Sequence, residues 1–334
     1  MENISMKDVA QKAKVSTATV SHVINETRYV AEETKKKVYK AMKELDYQPN
    51  SVARSLRSRK SNIIGLLVPL VASDTSNFFF MSIANGIEQV LKENGYNLIL
   101  SNSSEDLSIE QDQIKVFNSQ LIDGLIIAPV DSQKHDYKEN LRGNYPVVFI
   151  DRQPKELTSD TVLIDSGAGT YKAIELLISK GHTKIGFITG PLGITTSDER
   201  LQAYKNALKN NNLSYDESLV KIGSATFDKG HSFTKELVEE TGATAIFAAN
   251  NIMTMGAVHY LQEKDIPIPD KVAIIGFDDY DWLRITSPPL SVVKQPSYEM
   301  GKKAVELLIK RINGSKDPYD VHRLPSELVV RGSC

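Results

Sequence analysis

From Ile63 onward the sequence keeps one alternation, in which a short apolar run is followed by a turn, an amphipathic stretch and another apolar run. "IIGLLVP" leads to "FFFMSIANGIEQVLKENG" and "YNLILSN", then to "IEQDQIKVFNSQ", "DGLIIAPV", "PVVFID" and "VLIDS". "GTYKAIELLISKGH", "KIGFITG", "ERLQAYKNALKNNN", "TAIFAANN", "MGAVHYLQEKD" and "VAIIGFDD" continue the series. Apolar runs without a polar face must be covered on both sides, and strands that alternate with helices are joined by crossovers. The body is therefore expected to be α/β with parallel sheets. The series is too long for one compact sheet, so two lobes are expected. Ligands in such folds bind outside the carboxyl ends of the strands.

The strand ends carry an unusual chemistry. In "PVVFIDRQP" four apolar residues, Val147 to Ile150, stop at Asp151 and Arg152. A surface ion pair or a turn would each explain that pair. Other ends add Asn77, Phe79 and Phe80 after the first run, Arg200 before "LQAYKNAL", and Phe227 in "ATFDK". "FAANN" ends in Asn250 and Asn251, "IIGFDD" in Asp278 and Asp279, and "VVKQP" brings Gln295. Taken singly, the phenylalanines read as helix core, Asp278 as a cap, and Gln295-Pro296 as a turn. Taken together, carboxylates, guanidinium forks, amides and rings suit a sugar. Its hydroxyls both donate and accept, and its C–H faces need flat apolar surfaces.

The first 60 residues differ from the rest in charge. They hold 13 Lys/Arg against 7 Asp/Glu, whereas the remainder holds 27 against 35. A basic head on an acidic body points to a polyanion as the partner of the head. Met6, Val9, Ala10 and Ala13 fall at helical spacing. Ser16 can cap a second helix, Thr17 to Asn25, with Val20, Val23 and Ile24 on its apolar side. A third helix is expected from about Ala31 to Leu45, with Val38, Ala41, Met42 and Leu45 inward. This spacing fits a helix-turn-helix best, and spacing alone also describes a small helical bundle.

The residues themselves go further. "MKDVAQKAKVSTATVSHVINETRYVAEETKKKV" and "YQPNSVARSL" resemble the headpiece of the lactose-repressor family, and within it the purine and ribose repressors. The resemblance implies that Thr17, Ala18 and His22 face base edges, and that Thr19, Ser21 and Asn25 hold phosphates of operator DNA. It also implies a hinge over residues 50–61. There Arg54 supplies positive charge and Leu56 wedges into a minor-groove step. The body, roughly 62–331, resembles the periplasmic sugar-binding fold of that family, with lobe crossings near Thr161, Ser291 and Arg323. "NFFF", "DRQ" and "ATFD" resemble the ribose-binding proteins. Carried over, Asn77, Asp151, Arg152, Arg200, Asn250, Asp278 and Gln295 bond the hydroxyls, and Phe79, Phe80 and Phe227 sandwich the ring. Two positions depart from the pattern: Phe78 replaces a frequent proline, and Asn251 a frequent aspartate.

The expected organisation is a helix-turn-helix headpiece over 1–49, a hinge over 50–61, and a two-lobed periplasmic-binding-protein-like body over 62–334. Other readings fail on the residues. In "DSGAGTYKA" the third glycine of a dinucleotide fingerprint falls at Lys172, so Gly167 and Gly169 are read as a turn. No Walker loop, H-E-x-x-H or G-x-S-x-G occurs, and no enzyme activity, metal or cofactor is expected. The only cysteine is Cys334, no apolar run suits a membrane, and the charged N-terminus does not read as a secretory signal. The resulting expectation is a cytoplasmic, homodimeric repressor on a near-palindromic operator. Its effector is a small sugar, D-ribose, acting as inducer, and its candidate dimer helix is Phe78 to Leu91. The alternatives are a repressor or global carbon regulator that responds to another sugar, a purine corepressor or a phosphorylated protein partner.

Overall fold

Strands buried on both faces need apolar residues at every position, and the central strands of the body have them. In the computed structural model, which describes residues 4–25, 27–47, 60–71, 77–130, 137–154 and 159–334, the chain forms two compact units, Met1–Ser61 and Asn62–Cys334. Arg54 and Leu56, and with them most of the expected hinge, lie outside the described residues.

The first unit holds α1 (Met6–Ala13), α2 (Thr17–Asn25) and α3 (Glu32–Glu44) around Val9, Ala10, Ala13, Val20, Val23, Val38 and Ala41. Ser16 caps α2 as expected, its Oγ accepting from the Thr19 amide at 3.0 Å. The Asp8 carboxylate secures the start of α1 by accepting from the Ser5 amide at 2.8 Å.

The second unit has two six-stranded sheets. Lobe 1 contains β1 (Ile63–Val68), β2 (Asn97–Asn102), β3 (Gly124–Ile127), β4 (Val147–Ile150), β5 (Asp160–Asp165) and β11 (Val321–Pro325). Their order is β11-β5-β4-β3-β1-β2, all parallel, with Leu66 of β1 in register with Ile126 of β3. Lobe 2 contains β6 (Ile185–Thr189), β7 (Val220–Ile222), β8 (Ala245–Ala248), β9 (Ala273–Phe277), β10 (Ser291–Lys294) and β12 (Glu327–Val329). The order β12-β10-β9-β8-β6-β7 repeats that of lobe 1, and only β12 runs antiparallel to its neighbour.

Helices cover both faces of each sheet. In lobe 1, α4 (Asn77–Glu93) and α12 (Ser297–Ile312) bury Ile83, Ile87, Met300 and Leu308 on one face, and α5 (Leu107–Ser119) buries Ile114 and Phe117 on the other. A short α6 (Tyr137–Asn140) precedes β4. In lobe 2, α7 (Ser166–Ser179) and α8 (Thr195–Asn210) bury Ile174, Leu177 and Tyr204, opposite α9 (Phe227–Glu239) and α10 (Asn251–Glu263) with Leu237, Met253 and Leu261. The one-turn α11 (Trp282–Ile285) lies between β9 and β10. Among the described residues no helix is long and apolar enough to cross a membrane.

The chain changes lobe after β5, after β10 and between β11 and β12, each a few residues beyond Thr161, Ser291 and Arg323. The crossings touch one another, since Ser326 Oγ donates to the Asp165 carbonyl at 2.6 Å. Here the turn reading of Gly167 and Gly169 is corrected. Asp165 caps α7 by accepting from the Ala168 amide at 2.9 Å, and both glycines are helical. A Cβ on Gly169 would fall 2.4 Å from Ser326 Oγ and 2.5 Å from Val293 Cγ1, so the glycine admits the crossing strand.

Candidate ligand cleft and nucleic-acid interface

The carboxyl ends of both sheets open on a cavity of about 680 Å³. Phe79, Phe80, Asp151, Arg152, Arg200, Asn250, Asp278 and Gln295 line it, together with Glu105, Asn251, Ser197, Ser224 and Ala225. Asp151 and Asp278 occupy equivalent places, directly after β4 and β9. Both adopt the left-handed backbone, φ 65° and 66°, which aspartate tolerates better than most side chains. Both amides are held by the next strand, Asp151 by Val162 O at 3.0 Å and Asp278 by Val293 O at 2.9 Å. The strand ends therefore aim two carboxylates into one cleft from opposite lobes.

Burial pushes the Asp151 carboxyl up, against the pull of Arg152 and Arg200. Burial likewise pushes Asp278 up, against a hydrogen bond from Gln295 Nε2 to its Oδ1 at 2.7 Å and the charge of Arg200. Arg200, itself lowered by burial, donates to Ala249 O at 2.7 Å, and its guanidinium lies 3.7 Å above the Phe277 ring. Its Nε is buried and has no hydrogen-bond partner.

Arg152 is braced differently. One terminal nitrogen donates to Glu105 Oε2 and to the carbonyls of Pro129 and Val130, each at 2.9 Å, and the other bonds Glu105 Oε1. Nε stands 3.5 Å from Asp151 Oδ2. Burial opposes its charge, but the Glu105 fork and the neighbouring carboxylates raise it above the ordinary arginine value. The abrupt end of "PVVFIDR" is thus one acid facing the cleft and one base pinning the strand ends of lobe 1.

Two residues grouped with the cleft by sequence stand apart from its lining. Asn77 bridges the backbone of Val71, accepting from its N–H at 3.2 Å and donating to its carbonyl at 2.9 Å. Phe227 opens α9 behind the cap Thr226, and its ring packs 5.4 Å from that of His259, so Ser224 and Ala225 form that wall instead. Asn250 caps α10 with Oδ1, accepting from Ile252 and Met253. Asn251 is buried, donates to Tyr280 Oη at 3.3 Å and leaves its Oδ1 without a partner. Phe78 packs against Tyr280 outside the cleft, the rings tilted by 57° with centroids 5.6 Å apart. Asp279, beside Asp278, turns away to Arg331 at 2.6 Å.

Glu105 was not among the residues read from sequence. It follows β2 in "SNSSED", where only its position past a strand end gives any signal.

On the head, α2 buries Val20 and Val23, leaving Thr17 and Ala18 exposed and Ser21, His22 and Asn25 half-buried. Thr19 Oγ1 lies 2.9 Å from Ser16 Oγ, and Asn25 Nδ2 donates to Ser21 O at 2.8 Å. His22 Nδ1 pairs with Thr27 Oγ1 at 2.8 Å. No acid lies within α2, so this face does not repel phosphate.

Comparison with known proteins agrees with both units. Residues 5–50 match the model for bacterial regulatory proteins of the lacI family, and residues 174–334 match a periplasmic binding protein-like domain. The ribose operon repressor of Haemophilus influenzae is 37% identical over 98% of both chains. The transcriptional repressor PurR of Vibrio atlanticus is 36% identical over 98% of both. A solved lac repressor dimer, bound to operator and the anti-inducer ONPF, matches with a TM-score of 0.88 at 25% identity, covering 99% of each chain. The chain belongs to the lacI family of bacterial regulatory proteins and is a DNA-binding transcriptional repressor, not an enzyme.

Proposed function

We propose that the effector is a small neutral sugar, D-ribose, and that it acts as an inducer. The observation that carries this reading is the pair of carboxylates, Asp151 mostly covered and Asp278 buried, at equivalent strand ends of opposite lobes with Arg200 acting on both. A sugar that donates hydroxyls to both acids and accepts from Arg200 compensates their burial and ties the lobes together. Phe79 and Phe80 offer the apolar surface for its C–H face. Arg152 is already engaged by Glu105, so its charge is offset within lobe 1. That favours a neutral polyol over a phosphosugar.

The repressor acts in the cytoplasm as a homodimer, two heads on the halves of a near-palindromic operator. Thr17, Ala18 and His22 meet base edges, Thr19, Ser21 and Asn25 hold phosphates, and Arg54 and Leu56 engage the DNA from the hinge. In the tautomer in which Thr27 Oγ1 donates to Nδ1, His22 keeps an Nε2–H donor for a guanine acceptor. Ribose loosens operator binding to the extent that it prefers the DNA-free conformation, a coupling of roughly 1–3 kcal/mol.

The PurR relatives favour a second reading, a purine corepressor. Calorimetric titration of the full chain with ribose, arabinose, xylose, glucose, guanine and hypoxanthine separates the two. Saturable binding of ribose alone, with weaker operator binding in its presence, is the expected result. Binding of a purine with tighter operator binding would replace the sugar reading.

A further inference from the structure

We infer that His231, His259 and Glu263 form a binding site for a divalent transition-metal ion on the α9–α10 pair of lobe 2, apart from the cleft. Their ligand atoms all lie within 4.8 Å of one another. His231 Nε2 is 2.9 Å from Glu263 Oε2, and His259 Nε2 is 3.9 Å from the same oxygen.

The helices explain the convergence. His259 and Glu263 stand at i and i+4 on α10, hence on one face. His231 reaches that face because α9 and α10 cross with their backbones in contact. A Cβ on Gly230 would fall 2.2 Å from Met253 O, and one on Gly256 would fall 2.0 Å from Phe227 O. The carboxylate is oriented as a ligand should be, since Lys264 Nζ holds Oε1 at 3.2 Å while Oε2 faces the two imidazoles.

Two imidazoles and a carboxylate make a three-ligand set for Zn²⁺, which binds such atoms at about 2.0–2.2 Å and takes a fourth ligand from water or elsewhere. The half-exposed His259 ring can turn to close the remaining distance. The set offers too few oxygens for Ca²⁺ or Mg²⁺. The ion would staple α9 to α10 across the glycine crossing.

The test uses the full chain, dialysed against a chelator and titrated calorimetrically with ZnCl₂, CoCl₂ and MgCl₂. The expected result is saturable binding of one Zn²⁺ per chain, a visible absorption band on loading with Co²⁺, and no response to Mg²⁺. Zn²⁺ binding is expected to be lost in His259→Ala and in Glu263→Ala, both exposed positions whose folding is checked by circular dichroism. It is expected to persist in His182→Ala and His322→Ala. Absence of saturable Zn²⁺ binding, or equal binding by wild type and His259→Ala, would overturn the site.

Discussion

The two lobes reach the cleft by the same backbone device and complete it with opposite chemistry. Each central strand ends in a left-handed aspartate whose amide is held by the next strand, and each aspartate is followed by a second charge. In lobe 1 that second charge is Arg152, which gathers Glu105, Pro129 and Val130 under the cleft. In lobe 2 it is Asp279, which turns away to Arg331, and the positive charge comes from Arg200 on a helix. A repeated fold thus fixes where an acid stands. The residue beside it decides whether that strand end is braced within the cleft or outside it.

The largest effect expected from this contrast is a divergence between Arg152→Ala and Asp279→Ala. Asp279→Ala breaks a largely buried ion pair, at a cost of about 3 kcal/mol or more, and Arg152→Ala breaks a half-buried one. Glu105 is 35% exposed and can regain water, which places Arg152→Ala near the lower end for the pair itself, but two carbonyls also lose their donor. Urea unfolding should show both variants clearly destabilised. Ribose titration should separate them, with binding lost in Arg152→Ala and kept in Asp279→Ala. Wild-type affinity in Arg152→Ala would mean that neither brace organises the cleft.

Next come the two acids themselves. Asp151→Asn and Asp278→Asn keep a side chain that tolerates the left-handed backbone and remove one charge each. Losing a charge-assisted hydrogen bond costs roughly 1.5–3 kcal/mol, so each should weaken ribose binding by about ten- to a hundredfold. Their pH behaviour is a separate test. Both carboxyls are raised in the folded state, so the stability they contribute is fully present below the unfolded value of about 3.9 and is lost as pH rises through the raised values. Without ligand, either substitution should flatten the fall in stability across that window. On the proposed reading the sugar bonds the ionised acids, so ribose should bind more tightly as pH rises through the same range. If only one acid mattered to binding, the cleft would belong to a single lobe.

Much of this was legible in the residues, for identifiable reasons. Strands such as β3 and β9 are uniformly apolar because they are buried on both faces, and that pattern has no cheaper explanation. The acids were legible because charge directly after such a run is costly unless it is used. Glu105 was not, because β2 is an edge strand with exposed positions and "SSED" reads as a surface turn. Nothing local shows that it meets an arginine 47 residues away. Gly167 and Gly169 read as a turn by propensity, and the Asp165 cap with the packing of the crossings overrode it. Phe227 followed a strand region, but Thr226 starts a helix whose phase carries the ring to α10.

That last difference predicts a smaller divergence, between Phe80→Leu and Phe227→Leu. Each swap keeps an apolar side chain and should cost about 1 kcal/mol of stability or slightly more. Phe80 lines the cleft in lobe 1, and its variant should lose several-fold in ribose affinity, about 1 kcal/mol. Phe227→Leu should bind as wild type. A matching loss there would mean that the ring leaves His259 when sugar binds, restoring the sandwich expected from sequence.

The smallest effects belong to the two asparagines, which do similar backbone work but differ in what they show the cleft. Asn77 spends both side-chain polar atoms on Val71, whereas Asn250 spends Oδ1 on the α10 cap and lines the cavity. Asn77→Ala should cost about 1 kcal/mol of stability and leave ribose affinity nearly unchanged. Asn250→Ser retains a side-chain oxygen that can cap the helix, so unfolding should barely change. It removes the amide donor, however, and affinity should fall by about fivefold, near 1 kcal/mol. Denaturation and calorimetry on the same two variants therefore give opposite rankings if the cleft is read correctly. A parallel ranking would reduce Asn250 to a helix cap and leave Arg200, Asp278 and Gln295 as the polar wall of lobe 2.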